Sequence, residues 1–211
     1  MRAVLLAGDA QHEILLTFHH MLGDGYSGAY LMRDVLAYAA GFVDGVPIEL
    51  APLPLRPSIE GLLPAAVQGA RGALRIMKRV SQILRAVIGM KVRRIPSRTT
   101  AEPASRQTRV IQAVLPPDVT ARLVARCRAE KTSVHGLLCA AALKAAAGCI
   151  QEQAGISTRV GVGCLSPVNL RSALLPSVAM DELGLYVAFP TLYEKVGADS
   201  PLWPLARAPR P

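Results

Sequence analysis

The chain has 211 residues, 51% of them hydrophobic and 18% charged, and its 24 Lys and Arg against 15 Asp and Glu give a formal net charge of +9. That length suffices for one domain, or two modest ones, with a buried core. The apolar content excludes a disordered or fibrous chain, which lacks the surface to offset the entropy of ordering.

The first apolar run, within Met1 to Ala7, is too short to read as a secretory signal. His12 to Phe18 is short and apolar, as in a buried β-strand, and it runs into His19-His-Met-Leu-Gly-Asp-Gly25, where Gly-Asp-Gly signals a turn. Ser27 to Ala39 then has helical periodicity. Between Gly41 and Pro64 five prolines prevent any long regular element.

The charge excess is local. Gly61 to Ala101 contains no Asp or Glu but carries Arg71, Arg75, Lys78, Arg79, Arg85, Lys91, Arg93, Arg94 and Arg98. Within it Leu74, Met77, Val80, Ile83/Leu84 and Val87/Ile88 recur at three- and four-residue spacing, which predicts an amphipathic helix with one cationic face. The weakly polar stretch Gly72 to Met90 is broken by four of these basic residues, so no membrane-spanning run of about 18 apolar residues is expected. The basic segment from Arg71 to Arg98 is either a solvated face or a surface for an anionic partner, such as a carrier protein, a phosphorylated cofactor or an anionic lipid interface. It has no aromatic residues on which bases could stack, so nucleic acid is not the expected partner.

A polar patch from Pro96 to Gln107 suggests a boundary near residue 100. Beyond it, Thr108 to Leu115 alternates like a strand, Pro116 to Arg128 reads as a helix opening on prolines, and Thr132 to Ala147 is an Ala-rich helix capped by Thr132 or Ser133 and apolar nearly all round. Val160 to Leu165 and Leu185 to Phe189 are expected strands flanking a loop from Ser166 to Gly184. Alternating strands and helices give an α/β fold class. Cys127, Cys139, Cys149 and Cys164 match neither a metal clip nor a dense disulfide framework and are expected as reduced, buried thiols. His135 and Cys139 share a helix face and read as packing residues.

The chemistry concentrates at His19-His20-xxx-Asp24-Gly25. Imidazole changes charge near neutral pH and suits a general base. Neighbours on a strand point to opposite faces, so only one of the two histidines can face a given cleft. A metal site is not expected, because no third ligand stands at useful spacing. Gly25-Tyr-Ser-Gly-Ala29 falls short of a nucleophile elbow, because Ala29 occupies the last glycine position.

This segment resembles the HHxxxDG motif of the acyltransferase superfamily that includes nonribosomal peptide condensation domains and chloramphenicol acetyltransferase-like enzymes. Ser166-Pro-Val-Asn-Leu-Arg171 followed by Asp181-Glu-Leu-Gly184 is similar to the family's PVNLR…LGN segment, with Leu185 in place of the common Asn. Pro57 to Pro64 and the basic helix are most similar to the polyketide-associated phthiocerol dimycocerosyl transferase and alcohol acetyltransferase-like branch. The resemblance implies a chloramphenicol acetyltransferase-like, two-lobed mixed-sheet fold. It implies that His20 is the catalytic base, that His19 is structural or lines the site, that Asp24 pairs with Arg171 to hold the turn, and that Gly25 allows close backbone approach. No tightly bound cofactor or metal is implied. An acyl-CoA or a phosphopantetheinyl carrier protein would be the acyl donor, and an alcohol or amine the acceptor.

Family members are roughly twice as long, so the resemblance further implies a central fragment, with 1–100 the end of a first lobe and 101–211 the beginning of a second. Two functions follow. One is acyl transfer; the other is a catalytically silent remnant that serves as an interaction module for a carrier protein or membrane surface. The expected location is cytoplasmic, or peripheral to a membrane.

Overall fold

The computed structural model describes residues 1–46, 55–96, 101–107 and 109–207. Its contacts divide the chain into two units, Met1–Met77 with Pro167–Ala188, and Lys78–Ser166 with Phe189–Pro211. Composition places one boundary near residue 100. Contacts group the chain differently because they unite segments far apart in sequence.

The first unit opens with an antiparallel ribbon of β1 (Arg2–Ala7) and β2 (His12–Thr17), in register from Arg2 opposite Thr17 to Ala7 opposite His12. The expected burial of β2 is not found. Ile14 and Leu16 are half-buried while Leu15 is exposed, because among the described residues β1 and β2 pair only with each other and leave their faces open. A 3-10 turn at His20–Leu22 leads into α1 (Gly25–Val43), two residues longer at its start than periodicity indicates. A short α2 (Ile59–Leu62) follows, and α3 (Gly69–Met90) begins in this unit. The returning segment adds β4 (Val168–Asn169) paired with β5 (Val187–Ala188). Leu62, Leu174, Val178 and Tyr186 form its core, flanked by Ile59, Leu63 and Leu170.

In the second unit α4 (Pro117–Ala129) and α5 (Val134–Ala154) precede β3 (Val160–Leu165), which pairs antiparallel with β6 (Thr191–Val196); α6 (Leu202–Ala206) closes the described chain. Ser133 caps α5 by accepting the Gly136 N–H at 3.2 Å, and Gly155 ends it in the left-handed region at φ 62°, which a side chain would oppose. Leu143, Ala147 and Ile150 recur along one face of α5 and pack on Val160 and Val162 of β3 and Val196 of β6.

By length and composition α5 is long and apolar enough to cross a membrane. It holds no unbroken run of 18 apolar residues, as expected, because His135 and Lys144 interrupt it, but mean hydropathy tolerates both. Here the helix supplies the core of its unit.

Two further expectations change. Residues 109–115 form no strand, and Val110, Ile111 and Val114 are exposed. Alternation alone does not make a strand without a neighbour to complete the ladder, and residue 108 lies outside the described residues. All four cysteines are free, but only Cys127 and Cys139 are buried. Part of the proline-rich connector, 47–54, and Arg98 of the basic segment also lie outside the described residues.

Candidate functional site

His19 ends the strand-to-turn transition in extended backbone, and its Nδ1 accepts the Met21 N–H at 3.2 Å. That bond orients the ring along the turn. His20 is the first residue of the turn and is exposed. Asp24 caps α1 by accepting the Ser27 N–H at 3.0 Å, so the carboxylate satisfies an orphan donor at the positive end of the helix.

The turn is fastened from behind by Arg171. Its side chain is fully buried, with 1% exposure against 7% for Asp24, and its Nη1 lies 2.7 Å from Asp24 Oδ2 while Nη2 lies 3.1 Å from Oδ1. This two-pronged geometry suits the planar guanidinium. Nη2 also donates to Ser27 Oγ at 3.0 Å and to the Glu182 carbonyl at 3.0 Å. The guanidinium carbon sits 4.8 Å from the Tyr186 ring centre, and Asn169 Oδ1 accepts the Arg171 backbone N–H at 3.0 Å. Only Nε has no hydrogen-bond partner.

Asp24 accepts a further bond from the Tyr186 N–H at 3.2 Å, and its own N–H donates to the Gly184 carbonyl at 3.2 Å. Ser27 is the second hub. Its hydroxyl accepts the Gly184 N–H at 3.1 Å, and its single proton has two acceptors in reach, Gly184 O at 2.9 Å and Asp24 Oδ1 at 3.1 Å. Residues 182–186 are thereby tied to the start of α1. Arg56 braces the same loop from outside through a forked pair with Glu182, at 2.7 and 2.6 Å.

Burial alone would raise the Asp24 carboxyl, but the bonds from Arg171, Ser27 and Tyr186 outweigh it and hold the pKa at about 2. The unfolded carboxyl titrates near 3.9, so the unfolded chain binds the extra proton. The stabilisation is therefore complete above about pH 4 and is lost as pH falls toward 2. Its size is about 2–3 kcal/mol. Urea midpoints measured from pH 5 to pH 2.5 should fall more steeply in the wild type than in Asp24→Asn.

Two glycines in the motif behave differently. A Cβ on Gly23 would lie 2.7 Å from the Ser27 Cβ, whereas one on Gly25 would meet nothing within 4 Å. Gly23 is needed for the close approach to α1; Gly25 instead borders a cavity of about 230 Å³ lined also by Asp24, Tyr26, Pro167, Asn169 and Val187. Gly23→Ala should lower stability by about 1–3 kcal/mol while Gly25→Ala leaves the melting temperature within about a degree, measured by thermal unfolding.

Asp24 and Arg171 are thus gathered in one network, with Gly25 next to it in the chain and His19 and His20 on the turn that it holds. The sequence reading did not anticipate Ser27, Asn169, Gly184 and Tyr186 as its other members. The Asp24-to-Ser27 spacing, a helix cap with its third helical residue, was the available signal for Ser27. His135 differs from its expected packing role in being exposed, with Nε2 2.5 Å from Ser166 Oγ and 3.4 Å from Cys139 Sγ. Among the described residues no group of three or more His, Cys, Asp or Glu is arranged to hold a metal ion.

Among solved structures the chain is similar to polyketide synthase associated protein 5 from Mycobacterium tuberculosis, at 23% identity and a TM-score of 0.65, over 97% of this chain and 48% of that one. The chain therefore spans about half the length of that protein, and shares its chloramphenicol acetyltransferase-like α/β fold over that span. No curated protein matches it by sequence. Residues 104–208 match the family described as phthiocerol/phthiodiolone dimycocerosyl transferase C-terminus. Over those residues, just under half of the chain, it is similar to the C-terminal part of that transferase family.

Proposed function

We propose that this chain carries the base-bearing portion of an acyltransferase that moves an acyl group from a thioester to a hydroxyl or amine. The observation that carries the reading is the buried Asp24–Arg171 pair, which fixes the turn bearing His20 without occupying His20 itself. A network of this cost, two buried charges with all but one polar atom bonded, is expected where the placement of a neighbouring group matters. On this reading 1–100 end a first lobe and 101–211 begin a second.

In the proposed step His20 takes the proton of the acceptor O–H or N–H as its oxygen or nitrogen attacks the thioester carbonyl. The new C–O or C–N bond forms, the C–S bond breaks, and the proton passes from His20 to the departing thiolate. Asp24 stays ionised and does not meet the substrate. Gly25, open on its Cβ side, leaves room beside the cavity for the backbone N–H to approach the developing oxyanion. The donor is coenzyme A or a carrier-protein phosphopantetheine. No tightly bound cofactor takes part, and the basic segment Arg71–Arg98 meets an anionic partner at a peripheral, cytoplasmic surface.

Incubating the chain with acyl-CoA and a panel of long-chain alcohols and amines tests the reading. Release of free thiol in step with ester or amide is expected. Thiol release without acylated acceptor would leave simple hydrolysis and contradict it. The alternative, a silent interaction module, predicts neither product.

A further inference from the structure

Helix α3 has three distinct sides. Arg79, Gln82, Ile83, Ala86 and Met90 line a cavity of about 330 Å³ with Thr191 to Glu194 of β6, so this side faces the second unit's sheet. The end of the helix is held there, since the Arg93 N–H donates to the Gly161 carbonyl at 2.8 Å. On the opposite side Leu74, Met77, Val80, Leu84 and Ile88 form a stripe that is open to solvent, from 48% exposed at Val80 to 74% at Ile88. At the helical rise the stripe runs for about 21 Å. Between the two sides lie Arg71, Arg75, Lys78 and Arg85, and Lys91, Arg93 and Arg94 follow directly; the same segment has no acidic residue.

A solvated helix would expose its charges and bury its apolar side; α3 exposes both. We propose that α3 is an interfacial helix that seats its Leu74–Ile88 stripe in the surface of an anionic lipid bilayer. A carrier protein would use the cationic arc and leave the stripe in water. A bilayer uses both, because the apolar side chains enter the acyl boundary while Arg and Lys stems run along the helix to reach lipid phosphates. The seven basic residues of this arc and its continuation, in a stretch of sequence with no Asp or Glu, match a negative leaflet. This inference goes beyond acyl transfer and does not rest on it.

The test is co-sedimentation of the whole 211-residue chain with vesicles of phosphatidylcholine alone or mixed with phosphatidylglycerol. Binding to the mixed vesicles is expected to exceed binding to phosphatidylcholine by about tenfold or more, and to weaken as salt shortens the range of attraction. Leu84→Ser with Ile88→Ser, both at exposed sites, should lower it by about tenfold with circular dichroism and melting unchanged. Should that pair misfold, Arg75→Gln with Arg85→Gln should produce a comparable loss restricted to the anionic vesicles. Equal uptake by both vesicle types, no uptake, or undiminished uptake by the serine variant would overturn the proposal. So would a dimer broken by the serine variant, or stoichiometric capture of an acyl carrier protein, where either occurs without vesicle uptake.

Discussion

Arg171→Ala should destabilise the chain by about 3–5 kcal/mol, read as the shift in the urea unfolding midpoint at constant slope. The magnitude follows from what the substitution leaves behind. Asp24 would remain buried with its charge facing a void, and Ser27 Oγ and the Glu182 carbonyl would each lose a donor. The cost is that of stranding a desolvated carboxylate, which exceeds the net worth of the ion pair itself. Asp24→Ala should be comparably severe, since it strands the guanidinium and releases the Ser27 and Tyr186 N–H groups together. The double variant should cost clearly less than the sum of the singles, because removing the second partner removes a charge already unpaired. Additive losses would mean that the pair is not coupled as its 2.7 Å contact implies. By contrast Arg56→Ala, which opens a partly exposed pair with Glu182, should cost no more than about 1 kcal/mol.

His20→Ala should lower the rate of acyl transfer by about 10²–10⁴-fold, the usual contribution of a positioned general base, with little change in stability because the ring is exposed. The adjacent histidine provides the internal control. His19 uses Nδ1 to accept the Met21 N–H, so His19→Ala frays the turn and should act through stability and the positioning of His20. His19→Asn, which can accept the same bond, should restore much of what His19→Ala loses. No such rescue is expected at His20. A larger rate loss at His19 than at His20 would exchange their proposed roles.

Much of this site was legible in the sequence because its signals are local. Asp24 stands where a helix cap belongs, the two histidines end an apolar run, and Arg171 lies in a segment whose resemblance named its partner across 147 positions. What escaped is what locality cannot encode. Ser27 looked like an ordinary residue in the first turn of a helix, yet its hydroxyl is fully buried against Gly184, which comes from a segment far along the chain. The apolar run of β1 does not by itself distinguish a strand, and in β6 Glu194 and Lys195 break a short apolar run. The structure assigns them through their ladders with β2 and β3. Residues 109–115 show the converse case. Their alternation is strand-like, yet they join none of the described strands. Helix α5 was read correctly as a core element, but its polar interruptions at His135 and Lys144 hid how close its hydropathy comes to that of a membrane span.

Acylated product formed by the folded wild-type chain and by folded His20→Ala, measured by mass spectrometry from one acyl-CoA and one long-chain alcohol or amine under identical conditions, tests the central claim most directly. The account predicts ester or amide from the wild type and at least about a hundredfold less from the variant. Equal product from the two proteins, or none from a wild-type chain whose melting confirms that it is folded, would contradict it.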